Sequence, residues 1–181
     1  MIITINGTPG SGKTTLAKAL AKKYRLKFYS VGQIRRKIAK IFGLNIERFN
    51  KIGKEIPFTD LFVDELIRKI VKDNAVIDGR LSWKFFPESI KILLICDIDV
   101  AAKRLLKDKR KEEKYKNLYE VRKKILKRIK DDEYRYKKYY GIKNIFDIKK
   151  YDIVLETSKV SKKEMIKICF EIIENYFLKK I

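Results

Sequence analysis

The sequence predicts an α/β fold with three layers, in which helices cover both faces of a mostly parallel sheet of about five strands. Short β-branched and apolar runs alternate along the chain with longer segments of helical periodicity, which is the pattern of successive βαβ units. The run at residues 90–95 is almost continuously apolar, as in strands that are buried on both faces. A glycine-rich segment at residues 7–12 stands between the first predicted strand and the first predicted helix.

Five segments are predicted to be strands, and they span residues 2–5, 27–29, 75–77, 90–95 and 153–155. Helices are predicted over residues 14–24, 33–42, 46–55, 61–71, 100–106 and 118–140, and a last helix carries an apolar stripe from Met165 to Tyr176. Gly43 separates the second and third helices, and Pro57 is expected to end the third. No internal repeat or linker rich in proline, glycine or serine divides the sequence, so we expect one domain over residues 1–181.

Composition excludes several classes of protein. A hydrophobic content of 45% is typical of globular chains and excludes wholesale disorder. The longest apolar run, at residues 92–96, is far shorter than the ~20 residues that span a bilayer, and the N-terminus lacks the pattern of a secretory signal. We therefore expect a cytoplasmic protein with no membrane partner.

Histidine is absent, and the two cysteines, Cys96 and Cys169, lie in apolar stretches. Catalysis by Ser-His or Cys-His pairs is thereby excluded, and a zinc site would need more soft ligands than the chain offers. We expect both cysteines to be buried free thiols, as in a reducing compartment.

The chain carries 45 Lys and Arg against 23 Asp and Glu, a net charge of +22. Residues 103–150 alone contain 20 cations and 8 anions. Three interpretations stay open: a compositional bias toward Lys, Ile, Tyr and Asn, the steering of small anionic ligands, or the binding of RNA or DNA.

Residues 7–14 fit the phosphate-loop pattern G-x-x-x-x-G-K-[S/T] and stand in its usual context, after a strand and at the start of a helix. The glycines let successive backbone N–H groups face one anion, and the helix N-terminus adds its dipole. Lys13 is predicted to reach the β- and γ-phosphates, and Thr14 to ligate Mg²⁺. The predicted contacts to ATP are Gly7, Thr8, Pro9, Gly10, Ser11, Gly12, Lys13, Thr14 and Thr15.

Arginine recurs in three further segments: residues 30–36, residues 76–80, and the predicted helix that contains Arg128, Asp132 and Arg135. Guanidinium groups bind phosphate in a bidentate manner and neutralise charge on a transferring phosphoryl group. The last three residues stand at i, i+4 and i+7 and so share one helix face, although a set of ion pairs on a solvated surface is an alternative.

Two nearby positions also allow more than one interpretation. Asp78 follows an apolar strand, as does the carboxylate that holds Mg²⁺ through water in many phosphate-loop proteins, but a turn-forming Asp is an alternative. Arg35 and Arg36, taken alone, are compatible with ordinary surface charges.

The motifs GTPGSGKTT, SVGQIRR, VIDGRLS, RIKDDEYR and YDIVLETS, in this order, resemble the cytidylate kinases, and most closely their short archaeal form. These enzymes are nucleoside monophosphate kinases of the adenylate-kinase superfamily, and the resemblance covers nearly the whole chain. It implies an adenylate-kinase-like core at residues 1–29, 73–106 and 136–181. It also implies a monophosphate-binding insertion at residues 30–72 and a lid region at residues 107–135.

The resemblance implies a role for each matching position. Lys13, Arg80 and Arg128 correspond to the catalytic residues, and Thr14 with Asp78 to the Mg²⁺ site. The positions implied to bind CMP are Ser30, Arg36, Arg80, Asp132 and Arg135. Residues near Thr157 and Ser158 match the segment that lines the donor adenine. Arg35 stands where relatives carry an apolar residue, and Gln33 where they carry an acidic one.

The activity implied is the transfer of the γ-phosphoryl group of ATP to CMP or dCMP, with Mg²⁺, by a monomer that acts on small-molecule nucleotides. An acceptor phosphate needs no general base, which agrees with a chain that lacks histidine. Two alternatives stay open: a kinase for another acceptor such as AMP or UMP, and a phosphate-loop ATPase that binds RNA through its basic region.

Overall fold

The computed structural model describes residues 1–107 and 115–178, and the side chains within them up to residue 176. Its five strands form one sheet in the order β2-β3-β1-β4-β5, and every neighbouring pair is parallel. The predicted three-layer α/β fold with a parallel five-stranded sheet is confirmed. The strands are β1 (Ile2–Gly7), β2 (Lys27–Ser30), β3 (Ala75–Asp78), β4 (Ile90–Ile95) and β5 (Ile153–Glu156).

Helices fill the connections between the strands, and one of them was not predicted. This is α5, a single turn that is too short to show a periodic pattern. The 3₁₀ turn at Ile148–Lys150 was not predicted for the same reason. The α-helices of the described residues are α1 (Lys13–Lys23), α2 (Val31–Ile41), α3 (Ile46–Glu55), α4 (Phe58–Ile70), α5 (Ser82–Phe85), α6 (Ile98–Lys107), α7 (Leu118–Tyr140) and α8 (Lys162–Leu178).

Helices α2 and α4 begin two and three residues earlier than the sequence pattern indicated. Helix α2 begins at Val31 because Ser30 caps it, accepting a hydrogen bond from the backbone N–H of Gln33 at 3.4 Å. Helix α3 ends at Glu55 as predicted, and Pro57, which was expected to end it, also stands at the N-cap of α4 with a φ of −71°, so α4 begins at Phe58. The fixed φ of proline suits the start of a helix better than its interior.

The main core lies between the sheet and one helical layer. Helices α1 and α8 pack on this face, and Cys169 is fully buried there as a free thiol. Burial raises the pKa of Cys169 to about 12, so the thiol is inert at neutral pH. On the other face α4 covers β3, while α6 and α7 pack together over Cys96. None of the helices in the described ranges is long and apolar enough to cross a membrane.

Strand register brings the site residues to one edge of the sheet. Asp78, the last residue of β3, is the partner of Ile5 in β1 and of Ser30 in β2. The phosphate loop follows β1 directly, so it leaves the sheet at the same edge. Beside this edge, α2, α3 and α4 enclose a small apolar cluster of their own, which consists of Ile38, Ala39, Phe49 and Val63.

Candidate active site

The phosphate loop is fastened to the end of β4. The backbone N–H of Thr8 donates to the carbonyl of Leu94 at 3.1 Å, and the Thr8 hydroxyl accepts from the N–H of Cys96 at 3.0 Å. A Cβ on Gly7 would overlap the Leu94 carbonyl oxygen, so only glycine allows this approach. Gly12 stands at the N-cap of α1 with a φ of 95°, a left-handed conformation that glycine adopts without strain. The loop is thus held rigidly against the sheet.

The lysine of the loop folds back over it. The Lys13 Nζ donates to the carbonyl oxygens of Gly7 at 2.9 Å and Thr8 at 2.8 Å. A second brace joins the loop to the segment after β5, where the buried Thr157 hydroxyl lies 3.2 Å from the carbonyl oxygen of Ser11. The ammonium group therefore lies at the loop itself, where a bound polyphosphate would compete with the two carbonyls.

A hydroxyl and a carboxylate meet beside the loop. The Thr14 Oγ1 donates to the Asp78 Oδ2 at 2.6 Å, and Asp78 is buried at the end of β3. Mg²⁺ prefers such oxygen donors and is usually bound by one or two carboxylates together with substrate phosphates and water. Among residues 1–107 and 115–178, no group of three or more His, Cys, Asp and Glu could hold a metal ion. The Thr14 hydroxyl and the Asp78 carboxylate are oxygen donors of the kind that Mg²⁺ prefers.

Five charged side chains form a continuous network of alternating sign. Arg80, which follows β3, pairs with Asp132 of α7, and Asp132 also pairs with Arg135 one turn later. Arg135 in turn pairs with Asp60 of α4, whose Oδ1 lies 3.2 Å from the NH1 of Arg35 on α2. We call these five residues the Arg–Asp network.

Three members of the network are buried. Exposed fractions are 3% for Asp60, 5% for Asp132 and 3% for Arg135. Burial favours the neutral form of Asp132, but Arg80 and Arg135 hold its pKa below the usual value. Burial also works against the charge of Arg135, yet Tyr136, Asp132 and Asp60 raise its pKa above the ordinary range. Burial lowers the pKa of Arg80, although a guanidinium group stays protonated in proteins.

The network carries one more positive than negative charge, and it contains an unsatisfied donor. Among the described residues, the Nε of Arg135 is buried and has no hydrogen-bond partner. Buried polar groups are almost always paired, and an isolated buried charge is costly. The arrangement is therefore suited to an anion that supplies both the missing acceptor and the missing charge.

Two predicted acceptor residues converge beside Gly32. A Cβ on this glycine would lie 3.8 Å from the NH1 of Arg36 and 4.0 Å from the Oγ of Ser30. Arg128 is exposed on α7, and its charge lowers the pKa of both Arg80 and Asp132. Arg128 thus lies one turn before Asp132 on α7, within the electrostatic range of the network.

Sequence reasoning missed two arginines that organise this region. Arg35 belongs to the Arg–Asp network rather than to the open surface, and its side chain is only 13% exposed. Arg104 on α6 donates to the carbonyl of Thr157 at 2.6 Å and to that of Val160 at 3.2 Å, which fixes the loop between β5 and α8. No local pattern marks either residue, because their partners lie far along the chain.

Part of the predicted lid lies outside the described residues. The lid was expected at residues 107–135, and residues 108–114 are not among those described. The lid and the division of the chain into core and insertions stay predictions.

The fold and the site define a class. At the carboxyl edge of one parallel sheet, the structure brings together a phosphate loop after β1, the Thr14–Asp78 pair and a cluster of largely buried arginines. This is the arrangement of the P-loop kinases. Solved structures agree on the fold. A shikimate kinase from Bacteroides thetaiotaomicron has a TM-score of 0.63 and 16% identity, with 96% of this chain and 98% of that chain covered. A protein of Eubacterium ventriosum reaches a TM-score of 0.69 at 22% identity, with the same coverage.

Sequence comparison names the family. The profile of the cytidylate kinase-like family matches residues 2–159, and the chain belongs to this family. The cytidylate kinase of Methanocaldococcus jannaschii is 35% identical over 181 residues, which cover 97% of this chain and 98% of that protein. The cytidylate kinase of Methanopyrus kandleri is 34% identical, with 93% and 90% covered. The resemblance seen in the sequence motifs is confirmed.

Proposed function

We propose that this protein is a cytidylate kinase, which transfers the γ-phosphoryl group of ATP to CMP or dCMP and releases ADP and the nucleoside diphosphate. The observation that carries the proposal is the buried Arg–Asp network beside the phosphate loop, with its excess positive charge and the unpaired Nε of Arg135. Support also comes from full-length relatives that bear the name cytidylate kinase.

The donor side is formed by the phosphate loop. Backbone N–H groups of the phosphate loop at residues 10–15 and the dipole of α1 hold the triphosphate, and Lys13 contacts its β- and γ-phosphates. Thr14 and Asp78 would hold Mg²⁺, which neutralises charge on the phosphates when it is bound. The segment at Thr157, braced against the loop by its hydrogen bond, supports the adenine end.

The acceptor side lies on α2, α4 and α7. Ser30 and Arg36, which converge beside Gly32, bind the acceptor phosphate together with Arg80. Asp132 and Arg135 orient the nucleotide from α7, and exposed Arg128 meets the phosphoryl group during transfer. We assign residues 30–72 to an acceptor-binding unit and residues 107–135 to a lid that excludes water, since hydrolysis competes with transfer.

Catalysis then requires positioning and charge neutralisation. The attacking atom is a phosphate oxygen that is largely ionised at neutral pH, because the second pKa of a phosphate monoester is about 6. No side chain has to remove a proton, whereas a hydroxyl acceptor would need a positioned base. Lys13, Arg80 and Arg128 neutralise the charge that develops on the transferring group while the two nucleotides are held in line.

Release of ADP, measured with CMP, dCMP, UMP, AMP and no acceptor, tests this function. We expect turnover with CMP and dCMP to exceed that with UMP and AMP, and hydrolysis without acceptor to be negligible. Preference for AMP or UMP would overturn the acceptor assignment. Acceptor-independent ATP hydrolysis with salt-sensitive RNA binding would replace the proposal by an RNA-binding ATPase.

A further inference from the structure

We propose that Arg35 is a positioning residue for the acceptor: it fixes Asp60, and Asp60 orients Arg135 so that its Nε faces the bound monophosphate. The inference rests on the proposed function and extends it to a residue that contacts no substrate in the proposed mechanism. Its basis is the set of contacts that join α2, α3, α4 and α7.

Arg35 holds three helices together with its whole guanidinium group. Its Nε donates to the Oδ1 of Asn50 on α3 at 2.8 Å. Its NH1 donates to the carbonyl of Thr59 at 3.1 Å and to the Oδ1 of Asp60 at 3.2 Å, and its NH2 donates to the Thr59 hydroxyl at 3.2 Å. The group also lies over the ring of Phe49, with its central carbon 5.0 Å from the ring centroid. Such a fork cannot be replaced by the single ammonium of lysine.

Asp60 links Arg35 on α2 to Arg135 on α7. The Oδ1 that accepts from Arg35 also pairs with the NH1 of Arg135, and the NH2 of Arg135 pairs with Asp132. With both terminal nitrogens held by carboxylates, the guanidinium plane is fixed and its Nε is the nitrogen left for an acceptor. Because Arg35 also neutralises Asp60, the attraction of Asp60 for Arg135 is weaker. Arg135 can therefore pair with Asp132 at the same time.

The fold leaves room for this contact at one glycine of α3. A Cβ on Gly53 would overlap the Thr59 hydroxyl and would lie 3.0 Å from the Asp60 Oδ2 and 3.2 Å from the Arg35 NH2. Alanine is a better helix former than glycine, so Gly53→Ala disturbs the contact without weakening α3 itself. The substitution therefore perturbs the same geometry as the loss of Arg35, but removes no charge.

The kinetic test compares Arg35→Met, Asp60→Asn and the double variant. We expect Arg35→Met to raise the KM for CMP about tenfold, the scale of one charged hydrogen bond, and to leave the KM for ATP within twofold. If Arg35 acts through Asp60, the double variant should match Asp60→Asn alone.

Gly53→Ala should reproduce the selective rise in the KM for CMP. The control is Arg68→Met. It removes an exposed arginine of α4 that forms a salt bridge with Glu65, and it should change neither KM value.

A second readout needs no nucleotide. In NMR spectra of arginine side chains, the Nε–H signal of Arg135 should be sharp in the wild type and exchange-broadened in Arg35→Met, with Arg135→Lys used to assign it. An unchanged signal, equal rises in both KM values, or additive effects in the double variant would overturn the positioning role. A wild type that fails to phosphorylate CMP would overturn the proposed function instead, and the NMR comparison would still test Arg35.

Discussion

The hydroxyl of Tyr140, in the last turn of α7, donates a hydrogen bond to the carboxyl group of Asp64 on α4. Asp64 lies one turn after Asp60, so this contact and the Asp60–Arg135 pair join the same two helices. Burial is the main cause that raises the pKa of Asp64 to about 6, and it outweighs the opposing effect of the Tyr140 hydrogen bond. A carboxyl group that titrates close to neutral pH therefore lies at the contact between α4 and α7.

The stability of the protein is expected to depend on Asp64 between pH ~4 and ~6. Unfolded aspartate releases its proton near pH ~3.9, whereas folded Asp64 keeps it to about pH 6, so the folded state binds more protons in this window. The stabilisation by neutral Asp64 is complete below pH ~4 and is lost as the pH rises through ~6. Asp64→Asn keeps an acceptor for Tyr140 but cannot ionise. Its melting temperature relative to the wild type should therefore rise by about 2 °C or more between pH ~4 and ~7.

Thermal melts monitored by circular dichroism across this range measure the difference between the two curves. Effects of other titrating groups, such as Asp132, are common to both proteins and cancel in the difference. Asp73→Asn, at an exposed position before β3, serves as the control and should follow the wild type at every pH. Parallel curves for Asp64→Asn and the wild type would show that Asp64 titrates as an ordinary surface carboxyl group.

Lys13→Ala should abolish most of the activity while the fold survives. The Lys13 side chain donates to the carbonyls of Gly7 and Thr8 within the loop, so its loss leaves the sheet intact. The loss of one cation aimed at a transferring phosphoryl group should lower kcat by roughly a hundredfold to a thousandfold. Turnover and melting temperature are measured together, with Lys18→Ala, an exposed lysine of the same helix, as the matched variant. Wild-type turnover by Lys13→Ala would remove the phosphate loop from the mechanism.

Strong local patterns made much of the fold predictable. The bounds of β4 and α7 are those that the sequence indicated, because β4 is a continuous apolar run and α7 is delimited by a capping Asn117 and by Gly141 in a left-handed conformation. The phosphate loop was predictable because its residues are contiguous and their geometry is local.

The pairing within the Arg–Asp network could not be predicted in the same way. Asp60 and Arg135 are 75 positions apart, and only the packing of α4 against α7 brings them together. The spacing of Asp132 and Arg135 placed them on one helix face, but it did not distinguish a buried network from pairs on a solvated surface. The place of Arg35 in the network could not be predicted, because the sequence pattern around a single arginine in an amphipathic helix does not distinguish a buried position from an exposed one.

Arg36→Ala should weaken binding of the monophosphate and leave the donor unaffected. Arg36 lies beside Gly32 and Ser30, which follow or end β2, an edge strand of the sheet. A charged hydrogen bond to phosphate contributes about 1.5–3 kcal/mol, so the KM for CMP should rise about tenfold to a hundredfold. Steady-state kinetics with each nucleotide varied in turn measure both constants. Arg48→Ala, an exposed arginine of α3, is the control, and an equal rise in the KM for ATP would contradict the assignment to the acceptor.

Asp132→Asn should destabilise the protein and also relax its choice of acceptor. Asp132 pairs with both Arg80 and Arg135, and its replacement by an amide removes the counter-charge that these two guanidinium groups share. Loss of one member of a buried ion pair costs roughly 3–5 kcal/mol in the free energy of unfolding. Urea denaturation measures this cost, and ratios of kcat/KM for CMP, UMP and AMP measure selectivity.

The neighbouring residue supplies a matched control for this substitution. Asp131 is partly exposed and pairs with Lys54, so Asp131→Asn should cost less than about 1 kcal/mol and leave the selectivity ratios unchanged. Because both substitutions remove one negative charge from adjacent positions of α7, the long-range effect on the electrostatic field is nearly the same. Because Asp132 orients the bound nucleotide in the proposed function, its loss should weaken CMP binding, so saturating CMP should raise the stability of Asp132→Asn less than that of the wild type. Equal stabilisation of the two proteins by CMP would place the nucleotide away from Asp132.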